Sequence, residues 1–104
     1  MTQTRPETYL TQLFGLSGKT AVVIGGTGVL GGAICDALAG AGAHVVAVGR
    51  NAEHGQAAVQ KVVEAGGSAE FAAADATRRS DLEALVEQLK GAGRQCDILV
   101  NGAG

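Results

Sequence analysis

Tryptophan is absent from this 104-residue chain, and Tyr9, Phe14 and Phe71 are its only aromatics. Hydrophobic residues still make up 46 % of it, so the core has to be built from Val, Leu, Ile and Ala, which are short enough to let helices lie close on a sheet. Cysteine is scarce as well. Cys35 and Cys96 form no Cys-x-x-Cys pair and have no histidine close by in sequence, so the spacing suggests neither a disulfide nor a metal site, only plain thiols, both buried or half-buried. Basic clusters are missing, and a net charge of −2 argues against a nucleic-acid surface. No apolar run approaches the length of a membrane span, and Met1 to Glu7 carries no signal-peptide core, so the expectation is a cytoplasmic protein with no membrane partner.

What the chain does have is glycine in a pattern. Ile24-Gly-Gly-Thr-Gly-Val-Leu-Gly31 sets Gly25, Gly28 and Gly31 at three-residue spacing, directly after the apolar run Ala21-Val22-Val23-Ile24 and directly before a helical pattern. Strand, glycine turn and helix in that order build a pyrophosphate site: glycines let backbone N–H groups approach a phosphate, and the helix start adds partial positive charge. A glycine motif alone is weak evidence, so its surroundings have to decide.

Those surroundings repeat. Apolar runs Ala21–Ile24, Val45–Val48, Ala69–Ala74 and Ile98–Val100 predict four strands, and a helical stretch follows each of the first three. The first two are continuously apolar, as strands covered on both faces should be. The third alternates, with Glu70 on one side and Ala69, Phe71 and Ala73 on the other, and reads as the strand nearest an edge. Between strands the period becomes helical: Leu30, Ala33, Ile34, Ala37, Leu38 and Ala41, then Val59, Val62 and Val63, then Leu82, Leu85, Val86 and Leu89. The first helix should end at Gly40 and Gly42, and the second should run from near Asn51 to Gly66-Gly67. Ser80 with Glu83 reads as a capping box for the third. The expected architecture is α/β, the N-terminal half of a doubly wound Rossmann-type parallel sheet with strand order 3-2-1-4.

Residues 1–18 read as a polar lead-in in which Tyr9, Leu10, Leu13 and Phe14 are spaced for a short packing helix, and residues 19–104 as the dinucleotide-binding domain. After Ile98–Val100 no helix follows to cover the last strand. The expectation is therefore a domain cut after its fourth strand.

With these residues in place, the chain resembles the N-terminal part of a short-chain dehydrogenase/reductase. Gly25-Gly-Thr-Gly-Val-Leu-Gly31 matches that family's glycine turn, Asp75 its aspartate after the third strand, and Asn101-Gly-Ala-Gly104 its Asn-Asn-Ala-Gly. Ile24 and Val29 depart from the usual threonine and middle glycine. The turn and the Asn-Gly-Ala-Gly variant together are similar to the sugar-acid branch of mannonate oxidoreductases and fructuronate reductases. The resemblance implies that Gly25, Thr27, Gly28, Leu30 and Gly31 border the pyrophosphate and ribose of a nicotinamide dinucleotide. It also implies that Asp75 and the Ala76 N–H meet the adenine, and that Asn101, Gly102 and Ala103 run past the adenosine ribose. Without the family, Asp75 could be a helix-capping or loop carboxylate, and Asn101 a loop amide.

Choice of cofactor turns on Val48-Gly49-Arg50-Asn51. NAD sites usually place a carboxylate here for the ribose 2′-hydroxyl; Gly49 leaves room, and Arg50, followed by Asn51, offers a fork of donors to a 2′-phosphate. NADP is favoured, with NAD as the alternative. Arg50 could instead stack on the adenine face or simply be solvated at a helix start.

Other signals are decoys. Gly18-Lys19-Thr20 ends like a P-loop, but position 13 is Leu and the triplet precedes the strand. His44 and His54 read as surface or half-buried histidines, and Arg78-Arg79 beside Asp81 as a solvated loop. The family's hydride transfer uses a Tyr-x-x-x-Lys set, in which the lysine lowers the pKa of the tyrosine; none occurs here, so no catalytic or metal-binding residue is assigned. The parent reads as an oxidoreductase, a homo-oligomer when complete, acting on a hydroxyl or carbonyl of a small polar substrate. The alternatives are a non-catalytic dinucleotide module and an inactive fragment.

Overall fold

The structure is a computed structural model that describes residues 15–26 and 28–102. The short helix expected around Tyr9 to Phe14, and Thr27, Ala103 and Gly104, lie outside the described residues. Elements alternate along the chain: β1 (Thr20–Ile24), α1 (Val29–Gly40), β2 (His44–Gly49), α2 (Ala52–Glu64), β3 (Ser68–Ala73), α3 (Arg79–Gly91) and β4 (Cys96–Asn101). The strands form one sheet in the order β3-β2-β1-β4, with all three pairings parallel. This is the Rossmann-type arrangement expected from the sequence, with β3 on an edge.

Two cores sandwich the sheet. On one face Ala21, Val23, Val45 and Ala47 pack with Cys35 and Ala39 of α1 and Val62 of α2; on the other Val22, Ile24, Val46 and Val48 pack with Leu85 and Leu89 of α3. Successive strand residues feed opposite faces, which is why β1 and β2 are apolar without alternation. Val23, Val45, Val46 and Val48 are completely enclosed, and burial of a side chain of this size stabilises the fold by roughly 1.5–3 kcal/mol.

Helix phases depart from the sequence reading. In α1 the buried residues are Gly31, Cys35 and Ala39, flanked by Ile34 and Leu38, while Leu30, Ala33 and Ala37 point outward. The helix is apolar nearly all round, so composition could not fix its rotation; the side chains that face the sheet are small and bring the helix axis close. In α2 the inner residues include Gly55 and Val62, and Val63 is turned to solvent. A Cβ on Gly55 would lie 2.1 Å from the Phe71 ring of β3, so the notch in the helix is the seat of that ring.

The capping box expected at Ser80 and Glu83 does not form. The N-cap of α3 is Arg78, without a side-chain cap bond, and Glu83 pairs with Arg79 Nε at 3.1 Å. The helix starts earlier because Arg78 N–H already donates to the Asp75 carbonyl at 2.9 Å, closing a turn directly after β3. At their other ends all three helices stop alike. Gly42, Gly66 and Gly93 take φ of +104°, +90° and +71°, and paired bonds such as Gly66 N–H to Val63 O and Gly67 N–H to Val62 O, both 2.9 Å, close the last turn.

β4 joins β1 with a register shift at Thr20/Ala21, where Asp97 Oδ2 accepts the Thr20 N–H at 2.9 Å. Ile98 and Val100 are half-buried on the α1 side, and Leu99 on the other face is 62 % exposed. His44, at the head of β2, is half-buried against the edge strand, its Nδ1 2.5 Å from Ser68 Oγ and its Nε2 3.7 Å from Glu70 Oε1.

Candidate functional site

At the carboxyl ends of β1, β2 and β3 lies a crevice of about 420 Å³. Its floor is Ile24 and Val48, the last apolar side chains of β1 and β2, with Ala74, the residue after β3. Gly25 and Gly28 wall it on one side, Gly49 and Arg50 on the second, and Asp75, Ala76 and Thr77 on the third. The sheet brings together five sequence-expected site residues, Gly25, Gly28, Arg50, Asp75 and Ala76, that span 52 positions from first to last.

The glycine turn owes its shape to two positions. Gly25 has φ of +86°, which a side chain would strain, and its N–H is tied to Val48 O at 2.9 Å. Gly31 lies buried under the turn, where a Cβ would stand 1.9 Å from the Gly25 carbonyl oxygen. The first intrahelical bond of α1 runs from Gly32 N–H to Gly28 O at 2.7 Å, so the amides of Val29, Leu30 and Gly31 are the helix's unspent donors. Among the described residues nothing neutralises that end: Gly28 is the N-cap, with no side-chain cap bond and no acid in the first turn. Helix α2 differs, since Asn51 Oδ1 accepts the His54 N–H at 3.0 Å and Glu53 sits in the first turn. An uncapped helix start beneath a glycine turn is suited to an anion.

Across the crevice Asp75 is held by its own loop. Its Oδ1 accepts the Thr77 hydroxyl at 2.6 Å and the Thr77 N–H at 2.9 Å. These bonds, the hydroxyl's first, hold its pKa below the usual carboxylate value, helped by the charges of Arg50 and Arg78. Arg50 Nη1 stands 4.0 Å from Asp75 Oδ2 and is 80 % exposed, so the pair is loose and the guanidinium is open to a ligand. No carboxylate stands at the end of β2. A negative group approaching there meets Arg50, with the Asp75 carboxylate 4.0 Å from the guanidinium.

The other expected residues that are described, Leu30, Gly31, Asn51, Asn101 and Gly102, do not line this crevice. Leu30 and its neighbour Val29 project from the start of α1, 74 % and 97 % exposed. Asn51 is spent on capping α2. Asn101 ends β4 in register with Ile24, and Gly102 N–H donates to Ile24 O at 2.7 Å, closing the turn beside β1. Sequence reading missed Thr77 and Asp81, which fix Asp75; the Asp-x-Thr spacing of a side-chain turn was the available signal for Thr77. Asp81 was set aside with Arg78-Arg79 as part of a solvated loop, whereas its Oδ2 accepts the Asp75 N–H at 2.7 Å.

Under the turn, Cys35 is buried with its thiol 3.9 Å from the Gly26 carbonyl. Burial, and then the charge of Asp36, push its pKa up to about 11, so it is a packing group with no nucleophilic character at neutral pH.

Residues 19–104 match the short chain dehydrogenase family. The chain belongs to that family. Among the relatives of this short-chain dehydrogenase, an uncharacterized oxidoreductase, UxuB, from Bacillus subtilis (strain 168) is 46 % identical over 89 residues, covering 86 % of this chain and 32 % of that protein. A metagenomic short-chain oxidoreductase solved in complex with NADP superimposes with a TM-score of 0.79 at 40 % identity, over 86 % of this chain and 40 % of that one. L-sorbose reductase from Gluconobacter frateurii, solved with NADPH and L-sorbose, gives a TM-score of 0.82 at 35 % identity, over 88 % of this chain and 35 % of that one. This short-chain dehydrogenase chain spans about a third of the length of the curated relatives it matches.

Proposed function

We propose that residues 19–104 are the cofactor-binding unit of an NADP-dependent oxidoreductase that acts on a hydroxyl or carbonyl of a small polar substrate. The observation that carries this reading is the pairing, across one crevice, of an uncapped α1 start under the glycine turn with Arg50 at a strand end that has no carboxylate. Backbone groups of Gly25, Gly28, Leu30 and Gly31, with Thr27, would hold the pyrophosphate. Arg50 would meet the 2′-phosphate, with Asn51 behind it fixing the start of α2. Asp75 and the Ala76 N–H would take the adenine, and Asn101, Gly102 and Ala103 would border the adenosine ribose. When bound, the nicotinamide supplies the hydride acceptor or donor. The proton-transfer residues of the reaction are not in this chain, since Tyr9 is its only tyrosine and no Tyr-x-x-x-Lys is present. The NADP- and NADPH-bound neighbours support the choice of cofactor.

The substrate class we propose is a sugar acid, on the likeness of the turn and the Asn-Gly-Ala-Gly ending to that branch. The complete enzyme is proposed as a cytoplasmic homo-oligomer. Titration with NADP and NAD tests the cofactor reading. Arg50→Ala should weaken NADP about tenfold, the value of one partly screened charge-assisted bond, and leave NAD nearly unchanged. Equal weakening of both, or no NADP binding by the unaltered chain, refutes it. For the substrate, turnover of keto-sugar acids by the full-length protein is the expected result, and turnover confined to steroid or acyl substrates counts against it.

The second reading is a dinucleotide-binding module without chemistry of its own. A Tyr-x-x-x-Lys in the coding sequence past Gly104 decides between them.

A further inference from the structure

The turn between β3 and α3 is fastened from behind by a carboxylate that does not line the crevice. Asp81, in the first turn of α3, reaches back six residues, and its Oδ2 accepts the Asp75 N–H at 2.7 Å. An acid at this helical position ordinarily turns back to the N-cap amide. Here that amide, of Arg78, is already given to the Asp75 carbonyl, and Asp81 takes the one at the head of the turn. Thr77 N–H in its turn is bound to Asp75 Oδ1.

Of the four amides from Asp75 to Arg78, only that of Ala76 has no acceptor among the described residues. On the carboxylate, Thr77 holds Oδ1 with two donors, and Oδ2 keeps only the loose approach of Arg50. One free donor and one open acceptor, on adjacent residues of the crevice wall, complement the edge of adenine, which presents an amino group beside a ring nitrogen.

We propose that Asp81 is a positioning residue for adenine recognition: by holding the Asp75 amide it sets Asp75 and Ala76 as an acceptor–donor pair facing the purine. This rests on the reading of the crevice as a dinucleotide site. It differs from a purely helical role for Asp81, in which any negative charge in the first turn of α3 would serve equally well.

Three variants of the full chain, titrated with NADP and with its hypoxanthine analogue, separate these roles. The analogue carries oxygen where adenine carries its amino group and a protonated N1 where adenine has an acceptor, so it cannot offer Asp75 and Ala76 the same donor–acceptor edge. Asp81→Ala should weaken NADP about tenfold, the value of one hydrogen bond to a charged group, and change the analogue by less than about twofold. Asp81→Asn keeps an acceptor oxygen in place and should stay within about threefold of the unaltered chain for NADP, as expected for a neutral hydrogen bond substituting for a charged one. Asp81→Glu keeps the charge at the helix start and moves the acceptor by one methylene; it should fold, and lose NADP affinity as Asp81→Ala does. Asp81→Glu that binds normally, or equal losses for NADP and the analogue, overturns the inference alone. An unaltered chain that binds neither ligand overturns the dinucleotide reading and this inference with it.

Discussion

Gly31 and Gly32 are neighbours on α1, and the structure gives substitution by alanine opposite signs at the two. At Gly31 a new Cβ would lie 1.9 Å from the Gly25 carbonyl oxygen, 2.7 Å from its carbon and 2.8 Å from the Gly26 Cα, all backbone atoms that no rotamer change can move aside. Ordinary contact begins near 3.4 Å, so the start of α1 and the glycine turn have to part by about 1.5 Å. Overpacking of this kind costs typically 1–3 kcal/mol, and a gap of that width also forfeits about half or more of the dispersion between Cys35 or Ala39 and the sheet. The expected loss is therefore about 3 kcal/mol or more, a large share of the roughly 5–15 kcal/mol that holds a domain together. At Gly32 the nearest atom to a Cβ is the Gly26 oxygen at 4.0 Å, so alanine there should stabilise by roughly 0.5–1 kcal/mol through helix propensity. Urea unfolding followed by far-UV circular dichroism reads both. NADP titration should show a loss of about a hundredfold or more for Gly31→Ala, because the amides of Val29 to Gly31 move with the helix start, as one or two lost charge-assisted bonds imply. Gly31→Ala that unfolds within about 1 kcal/mol of the unaltered chain and binds NADP normally would refute the close-approach argument.

Cys35 makes stability fall in alkali. Its folded pKa of about 11 lies above the ordinary thiol value of 9.0, so its contribution is complete below pH 9 and is lost as pH rises from 9 to about 11, at up to about 1.4 kcal/mol per unit. Unfolding free energies of the unaltered chain and Cys35→Ala across pH 8–11 should converge over that window; parallel curves would show that the thiol ionises freely in the folded state. Leu99, exposed on the face of the edge strand β4, should promote association between copies, and Leu99→Lys should shift sedimentation toward monomer. Identical profiles for both proteins, monomeric at every concentration, would contradict it.

The fold was legible because its signal is local: four apolar runs, each followed by a helix-period stretch except the last, leave few ways to build a sheet. Gly25, Gly28, Arg50 and Asp75 could be assigned to one crevice because strand order follows from that alternation. The rotation of α1 could not be read, since Ala33 and Ala37 are as apolar as Cys35 and Ala39, and only the tight fit under Gly25 selects the buried side. The lost capping box has a similar origin. Ser80 and Glu83 have the right spacing, but the turn closed by Asp75 and Arg78 starts the helix before Ser80 can cap it. Asp81 was missed because its partner is a main-chain amide six residues earlier, and a sequence does not display its amides. Cys35 is buried as the plain-thiol reading expects, its place beneath the glycine turn follows only from the packing, and Cys96 is exposed where that reading expects burial.

The glycine stops divide the molecule into an end that can be edited and one that cannot. The segments 41–43, 65–67 and 92–95, on the side away from the crevice, each spend three amides closing the helix before them, so a residue inserted there has to break several bonds and shift the register of the next strand. The segment 74–78 on the crevice side is tied chiefly to itself and to Asp81, and the sheet holds its shape whatever that loop carries. An insertion after Thr77 breaks the Arg78 N–H bond to Asp75 O and parts Asp75 from Asp81 but leaves the sheet register alone, so it should cost the fold less than one after Gly66 while spoiling the crevice wall. Thermal melts of matched three-residue insertions at the two points would measure the difference.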